Sequence, residues 1–222
     1  MSSELYHTDF NGNQKKFKEK DLYAGLSYSP DGKYLMATTI KRPYSYIVPL
    51  NRFPMTSTVY DASGNVVKVV NEIPLNEIMP KGFSSVRAGK RDMSWRSDMP
   101  ATLVYAEALD GGDQSKSAEF RDEVFTLDAP FNGSPRSFFK TKQRYEGTSW
   151  TNNHYAIVSE GWYDTRNTRS YLIDLNNGKS QVIDDRNYQD VYSDPGNFNT
   201  TKNDFGRYVV DMKGEKAYLI GA

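Results

Sequence analysis

The chain has 222 residues, with 28 basic and 28 acidic side chains, no cysteine, two histidines and a mean hydropathy of -0.72. Zero net charge leaves no global field for holding a polyanion, so nucleic acid is not an expected partner. The lack of cysteine removes disulfide frameworks, cysteine-ligated zinc and thiol nucleophiles. With only His7 and His154 available, no metal and no other cofactor is expected. Apolar runs such as Val66 to Val70, broken by Lys68, fall far short of the roughly 18 residues that cross a membrane. No membrane span is expected, and Met1 to Tyr6 lacks the charged-then-apolar profile of an export signal.

From the N-terminus onward, period-2 alternation of β-branched and aromatic residues dominates. The first clear unit is Leu22 to Ile40: a strand Tyr23 to Tyr28, a turn through Ser29-Pro30-Asp31-Gly32-Lys33, and a strand Tyr34 to Ile40. Proline presets a negative φ and glycine accepts a positive one, so this turn has a mechanism. A second hairpin spans Thr56 to Val70 around Asp61-Ala62-Ser63-Gly64-Asn65. The same two-hairpin grammar recurs from Met93-Ser94-Trp95 to Ser137-Phe138-Phe139, again from Gly147-Thr148-Ser149-Trp150 to Gln181-Val182-Ile183, and begins a fourth time at Asn203 to Val210.

Four meandering strands per repeat identify β-propeller blades. A β-sandwich of hairpins fits the bare pattern too, but Trp95 and Trp150 hold the same place ahead of the first turn of their repeats, which favours repeated units. The expected fold is therefore all-β, a propeller segment of about three and a half four-stranded antiparallel blades that does not close a ring. Its single partial domain covers 1–222, with blades at roughly 20–72, 82–140 and 144–186 and an incomplete one at 200–222. Since an unclosed stack exposes strand edges, the expectation is a piece of a larger propeller protein.

Catalytic signatures are weak. Ser149 has Gly147 before it but Thr151 after it, so no nucleophile elbow is formed, and His154 reads as the start of a blade strand. Asp184-Asp185 and the pair Asp110 and Asp113 read as solvated loop charges. Asp110-Gly111-Gly112-Asp113 and the Asp61 turn resemble calcium loops only faintly, lacking the distal glutamate.

Propeller topology sorts the connections by face. Short turns lie on one face, and the long connections on the other: Lys41 to Met55, Asn71 to Asp92, Leu109 to Asp122, Lys140 to Glu146, Gly161 to Arg169 and Asp184 to Lys202. Nine of the twelve arginines, Arg42, Arg52, Arg87, Arg91, Arg121, Arg144, Arg166, Arg169 and Arg186, fall on that long-loop face. A guanidinium fork suits a carboxylate ligand, although pairing with local acids such as Asp110 and Asp122 is the competing use.

Several of these segments, in this order, resemble the N-terminal propeller region of the prolyl oligopeptidase family, and within it the glutamyl endopeptidase branch. They are Ser29 to Leu35, Lys41 to Pro49 with Arg52-Phe53-Pro54, Val86 to Arg91 with Trp95 to Asp98, Glu107 to Asp113, Thr165 to Arg169 and Tyr192 to Gly196. The resemblance implies a non-catalytic, substrate-gating cap on an α/β-hydrolase domain that carries the Ser, Asp and His of a serine peptidase and lies outside this chain. Implied partners are that hydrolase domain and peptides cut after acidic residues. The implied substrate-binding or interdomain residues are Arg42, Arg87, Arg91, Arg166 and Arg169, with Asn167 departing from the basic residue expected between the last two. By itself the segment is not expected to be an enzyme, and a bacterial protein of the periplasm or exterior is the expected setting. A stand-alone interaction propeller is the alternative, and a carbohydrate-binding propeller is weaker because only Trp162 lies near a loop.

Overall fold

The computed structural model describes residues 2–221. Its first element is a hairpin that the alternation pattern did not reveal, β1 (Ser3–Thr8) paired antiparallel with β2 (Gln14–Asp21). Its strands are mostly polar, as in Gln-Lys-Lys-Phe-Lys-Glu-Lys-Asp, so no apolar stripe announces them. One aromatic anchors it: Phe17 stacks on His7 at 4.3 Å and meets Tyr60 edge-on at 6.3 Å.

Three four-stranded antiparallel meanders follow. The first comprises β3 (Tyr23–Tyr28), β4 (Tyr34–Ile40), β5 (Met55–Asp61) and β6 (Val66–Ile73). The second comprises β7 (Arg91–Trp95), β8 (Thr102–Ala108), β9 (Asp122–Asp128) and β10 (Arg136–Thr141). The third comprises β11 (Arg144–Trp150), β12 (Tyr155–Trp162), β13 (Asn167–Asp174) and β14 (Ser180–Asn187). The first turn forms as its chemistry dictates: Gly32 has φ +71°, Ser29 Oγ bonds Asp31 at 2.6 Å, and the Tyr34 amide donates to Ser29 Oγ at 3.0 Å.

The sheets stack face to face, and strand alternation distributes side chains between neighbours. On β8, Leu103 and Tyr105 join Met36, Val59 and Val70 of the first blade, while Val104 and Ala106 join Trp150, Ala156, Val158 and Ile173 of the third. Both tryptophans end the first strand of their blade, Trp95 opposite Leu103 and Trp150 opposite Ala156, and each reaches back to the preceding blade. Trp95 Nε1 donates to Ser27 O at 3.2 Å, and Trp150 lies against Phe138 at 5.3 Å and beneath Arg96 at 3.8 Å.

The C-terminal region forms short pieces rather than a fourth sheet: β15 (Asn197–Phe198), β16 (Thr200–Lys202), β17 (Tyr208–Val210), β18 (Met212–Lys213), β19 (Lys216–Ala217) and β20 (Leu219–Ile220). β16 pairs with β17, β18 with β19, and β15 with β20. Val210 and Met212 cover Ile157 on the open side of the third blade. β16 and β17 flank the Asn203 turn.

Two connections differ from the expectation. β10 passes into β11 through Lys142 and Gln143 alone, and β12 passes into β13 through residues 163–166, so neither is a long loop. Consequently Arg144 and Arg169 lie in strands, and so do Arg91, which opens β7, and Arg186 in β14. The charged and polar strand ends, Arg144-Tyr145-Glu146 and Thr168-Arg169, read as loop in the sequence because the acids that neutralise them come from other strands.

Candidate functional site

The ends of β7, β9 and β11 and the loop 109–121 build a buried ion cluster on the long-loop face. Asp122, fully buried, accepts the Arg91 guanidinium, Arg144 Nη1 at 3.1 Å and the Tyr145 amide at 2.7 Å. Asp110 accepts Arg144 Nη2 at 2.7 Å, Arg121 Nη1 at 2.9 Å and the Gly112 amide at 2.9 Å. Arg144 Nε donates to Ser84 O at 2.6 Å, so the cluster ties loop 74–90 to the second and third blades. Burial alone pushes both carboxyls up. At Asp110 the two guanidiniums prevail and hold it below the usual range, whereas at Asp122 desolvation prevails over Arg91, the Tyr145 amide and Arg144.

Asp110-Gly111-Gly112-Asp113 serves this cluster. Gly112 has φ +81°, and a Cβ there would stand 2.0 Å from Val86 O, so only glycine fits. The Asp61 turn is likewise closed on itself, its carboxylate accepting the Ser63 and Asn65 amides at 2.9 Å each. No cluster of metal-ligating side chains occurs among the described residues.

The five arginines singled out by resemblance divide by environment. Arg91 is buried and bound to Asp122 and Asp92. Arg169 bridges Glu160 at 3.3 Å and Asp185 at 2.9 Å. Arg42, Arg87 and Arg166 have no carboxylate partner among the described residues. Arg42 lies 5.0 Å from the Tyr44 ring, and Arg87 bonds carbonyls at Lys90 and Ala88. Partial burial pushes the Arg87 guanidinium down. Arg166 has φ +55°, its guanidinium stacks 3.6 Å from the Tyr163 ring, and Nη1 reaches Tyr188 Oη at 3.3 Å. Bonding to Tyr188 raises its pKa further, so the charge is permanent.

The structure adds residues that the sequence reading passed over. Glu160, fully buried, accepts the Lys142 and Gln143 amides at 2.7 and 3.1 Å and so clamps the two-residue link between blades. Its only sequence signal is an acid at an inward position of an apolar strand. Trp162 lies under Arg121 at 4.6 Å, and none of the three tryptophans is an open sugar platform. His7 stacks on Phe17 and His154 lies tilted against Tyr155 at 4.2 Å, so both imidazoles pack against rings.

Stacked four-stranded antiparallel meanders, with the long connections 41–54, 74–90 and 109–121 at one end of their strands, define a segment of an antiparallel β-propeller. The chain is 42% identical over 174 residues to a probable chloroplastic glutamyl endopeptidase of Oryza sativa subsp. japonica and 40% identical over 174 residues to one of Arabidopsis thaliana. Those matches cover 78% of this chain but 19% and 18% of the two relatives. The chain belongs to the glutamyl endopeptidase branch of the prolyl oligopeptidase family and corresponds to its propeller region. No family model matches. Among solved structures, an oligogalacturonate lyase in complex with manganese shares the fold at TM-score 0.51 and 8% identity, over 82% of this chain and 48% of that one. An acylaminoacyl peptidase of Pyrococcus horikoshii aligns at TM-score 0.48 and 16% identity, over 81% of this chain and 28% of that one. Both named sequence relatives are plant proteins, so the expectation of a bacterial periplasmic protein has no support. No helix among the described residues is long and apolar enough to cross a membrane.

Proposed function

We propose that this chain is the non-catalytic, substrate-gating propeller segment of a serine peptidase that cuts peptides after acidic residues. In this reading an α/β-hydrolase domain supplies the nucleophile, and the long-loop face of the propeller meets that domain and the peptide. The observation that carries it is the 42% identity to a glutamyl endopeptidase, joined to a face on which Arg166 is oriented without a carboxylate partner among the described residues. Arg166 is the leading acid-binding residue, with Arg42 and Arg87 beside it as further candidates. Arg91 and Arg169 act instead by holding that face together, since their charges are already met by Asp122, Asp92, Glu160 and Asp185.

Titrating the chain with a glutamate-containing peptide and its glutamine counterpart tests this. The glutamate peptide should bind more tightly, and Arg166→Ala should abolish the preference, a change of about tenfold for one lost charge-assisted contact. Equal binding of the two peptides to the unaltered chain sinks the acid-recognition part. Turnover of either peptide by the chain alone sinks the non-catalytic part.

A further inference from the structure

The turn 163–166, which carries Arg166, is gripped from other elements at three of its residues. Tyr163 donates its amide to Ser84 Oγ at 2.9 Å, and its ring lies 4.3 Å from that of Phe83. Asp164 accepts Gln114 Nε2 at 3.0 Å. Arg166 accepts the Tyr188 amide on its carbonyl at 2.8 Å and closes the turn by donating its own amide to Tyr163 O at 3.1 Å. Ser84 and Gln114 are themselves joined, since the Ser84 amide donates to Gln114 Oε1 at 2.8 Å. The Gln114 amide group thus bridges loop 74–90 and the turn, and it lies across Gly82, whose φ is +111° and where a Cβ would stand 2.1 Å from Gln114 Cδ.

Ser84 is the hub of this arrangement. It is buried, 79 residues from Tyr163 along the chain, and its amide, carbonyl and hydroxyl each meet a different element: loop 109–121, Arg144 Nε of β11 at 2.6 Å, and the turn 163–166. Arg144 is fixed in turn by Asp110 and Asp122, so the hub stands on the buried ion cluster. A positive φ at a residue other than glycine persists only where the surroundings hold it, and an arginine side chain has much rotamer freedom to lose. We propose that Ser84 and Gln114 are positioning residues that aim the Arg166 guanidinium, by fixing through Tyr163 and Asp164 the turn on which it stacks. The inference rests on the acid-binding reading of Arg166 only for what that guanidinium is aimed at.

Ser84→Ala removes the acceptor of the Tyr163 amide. Gln114→Glu keeps the acceptor for Ser84 but sets a second carboxylate against Asp164. Each variant, with and without Arg166→Ala, is titrated beside the unaltered chain with the glutamate peptide and its glutamine counterpart, and nitrogen relaxation of the Arg166 Nε–H group is read by NMR. Both substitutions should increase motion at Nε and cut the glutamate preference by about threefold or more, the worth of a neutral hydrogen bond, with the glutamine peptide bound as before. In the Arg166→Ala background neither should change the affinity for either peptide. A lower melting temperature with Arg166 motion and the preference both unchanged makes the network a plain loop staple and overturns the proposal, as does an equal loss of glutamate affinity without Arg166. Should Ser84→Ala fail to fold, Gln114→Glu, at a half-buried position, carries the test. If the unaltered chain shows no preference, acid recognition fails and the relaxation alone decides on Ser84 and Gln114: added motion supports the positioning, and unchanged motion overturns it.

Discussion

The second strands of the second and third blades are alike, β8 buried from Thr102 to Ala106 and β12 from Ala156 to Val158, whereas the outer strand β14 leaves Val182 52% and Ile183 40% exposed. The difference is place within the blade. β8 lies in the second blade, which has a full sheet on each side, so both of its faces find apolar partners. The third has a full sheet on one side and short pieces on the other, where Val210 and Met212 cover Ile157 and leave a cleft of about 630 Å³. Burial in a propeller is a property of the stack, and an isolated blade would have only a half-dry sheet.

The largest expected effects sharpen that contrast. Leu103→Ala removes a fully buried side chain between two blades and should destabilise by about 2–5 kcal/mol, while Ile183→Ala, at the open face, should stay within about 0.5 kcal/mol; urea unfolding measures both. Similar losses at the two positions would mean that the outer strand is as well covered as the inner one.

Asp122→Ala should cost about 3–5 kcal/mol, because Arg91 and Arg144 would remain buried without one of their counter-charges. The same urea series checks it, and a loss below about 1 kcal/mol would show that the cluster is solvated in solution.

A smaller effect is pH-dependent. The folded-state pKa of Asp110 lies below its unfolded value, so its ionised form adds stability above pH ~4. That contribution is lost as pH falls through the lower, folded value. Asp110→Asn should therefore lower the urea midpoint at neutral pH and converge with the unaltered chain in acid. Parallel curves down to low pH would show that Asp110 does not carry the term.

Much of the fold was legible in advance where local chemistry and pattern agree. The strands Tyr23–Tyr28 and Tyr34–Ile40 lie where alternation and the Pro-Asp-Gly turn put them. The polar hairpin β1–β2 was not legible, because its one anchor, Phe17, makes sense only against Tyr60 of another sheet. Nor was the division of the arginines. In the sequence Arg91, Arg166 and Arg169 are alike, since nothing local distinguishes a guanidinium met by Asp122 from one resting on Tyr163.

Zero net charge, the lack of cysteine and four-strand repeats are properties of the sequence by itself, and they determined the class of protein and the chemistries it lacks. Which charges cancel was decided only by the tertiary structure. Asp110 and Asp122 lie 22 to 34 residues from Arg91 and Arg144, which they neutralise, and folding brings Arg144 to 2.7 and 3.1 Å of them. Alternation is a short-range rule that a strand carries within itself, whereas the pairing or isolation of a charge depends on what the other blades set opposite it.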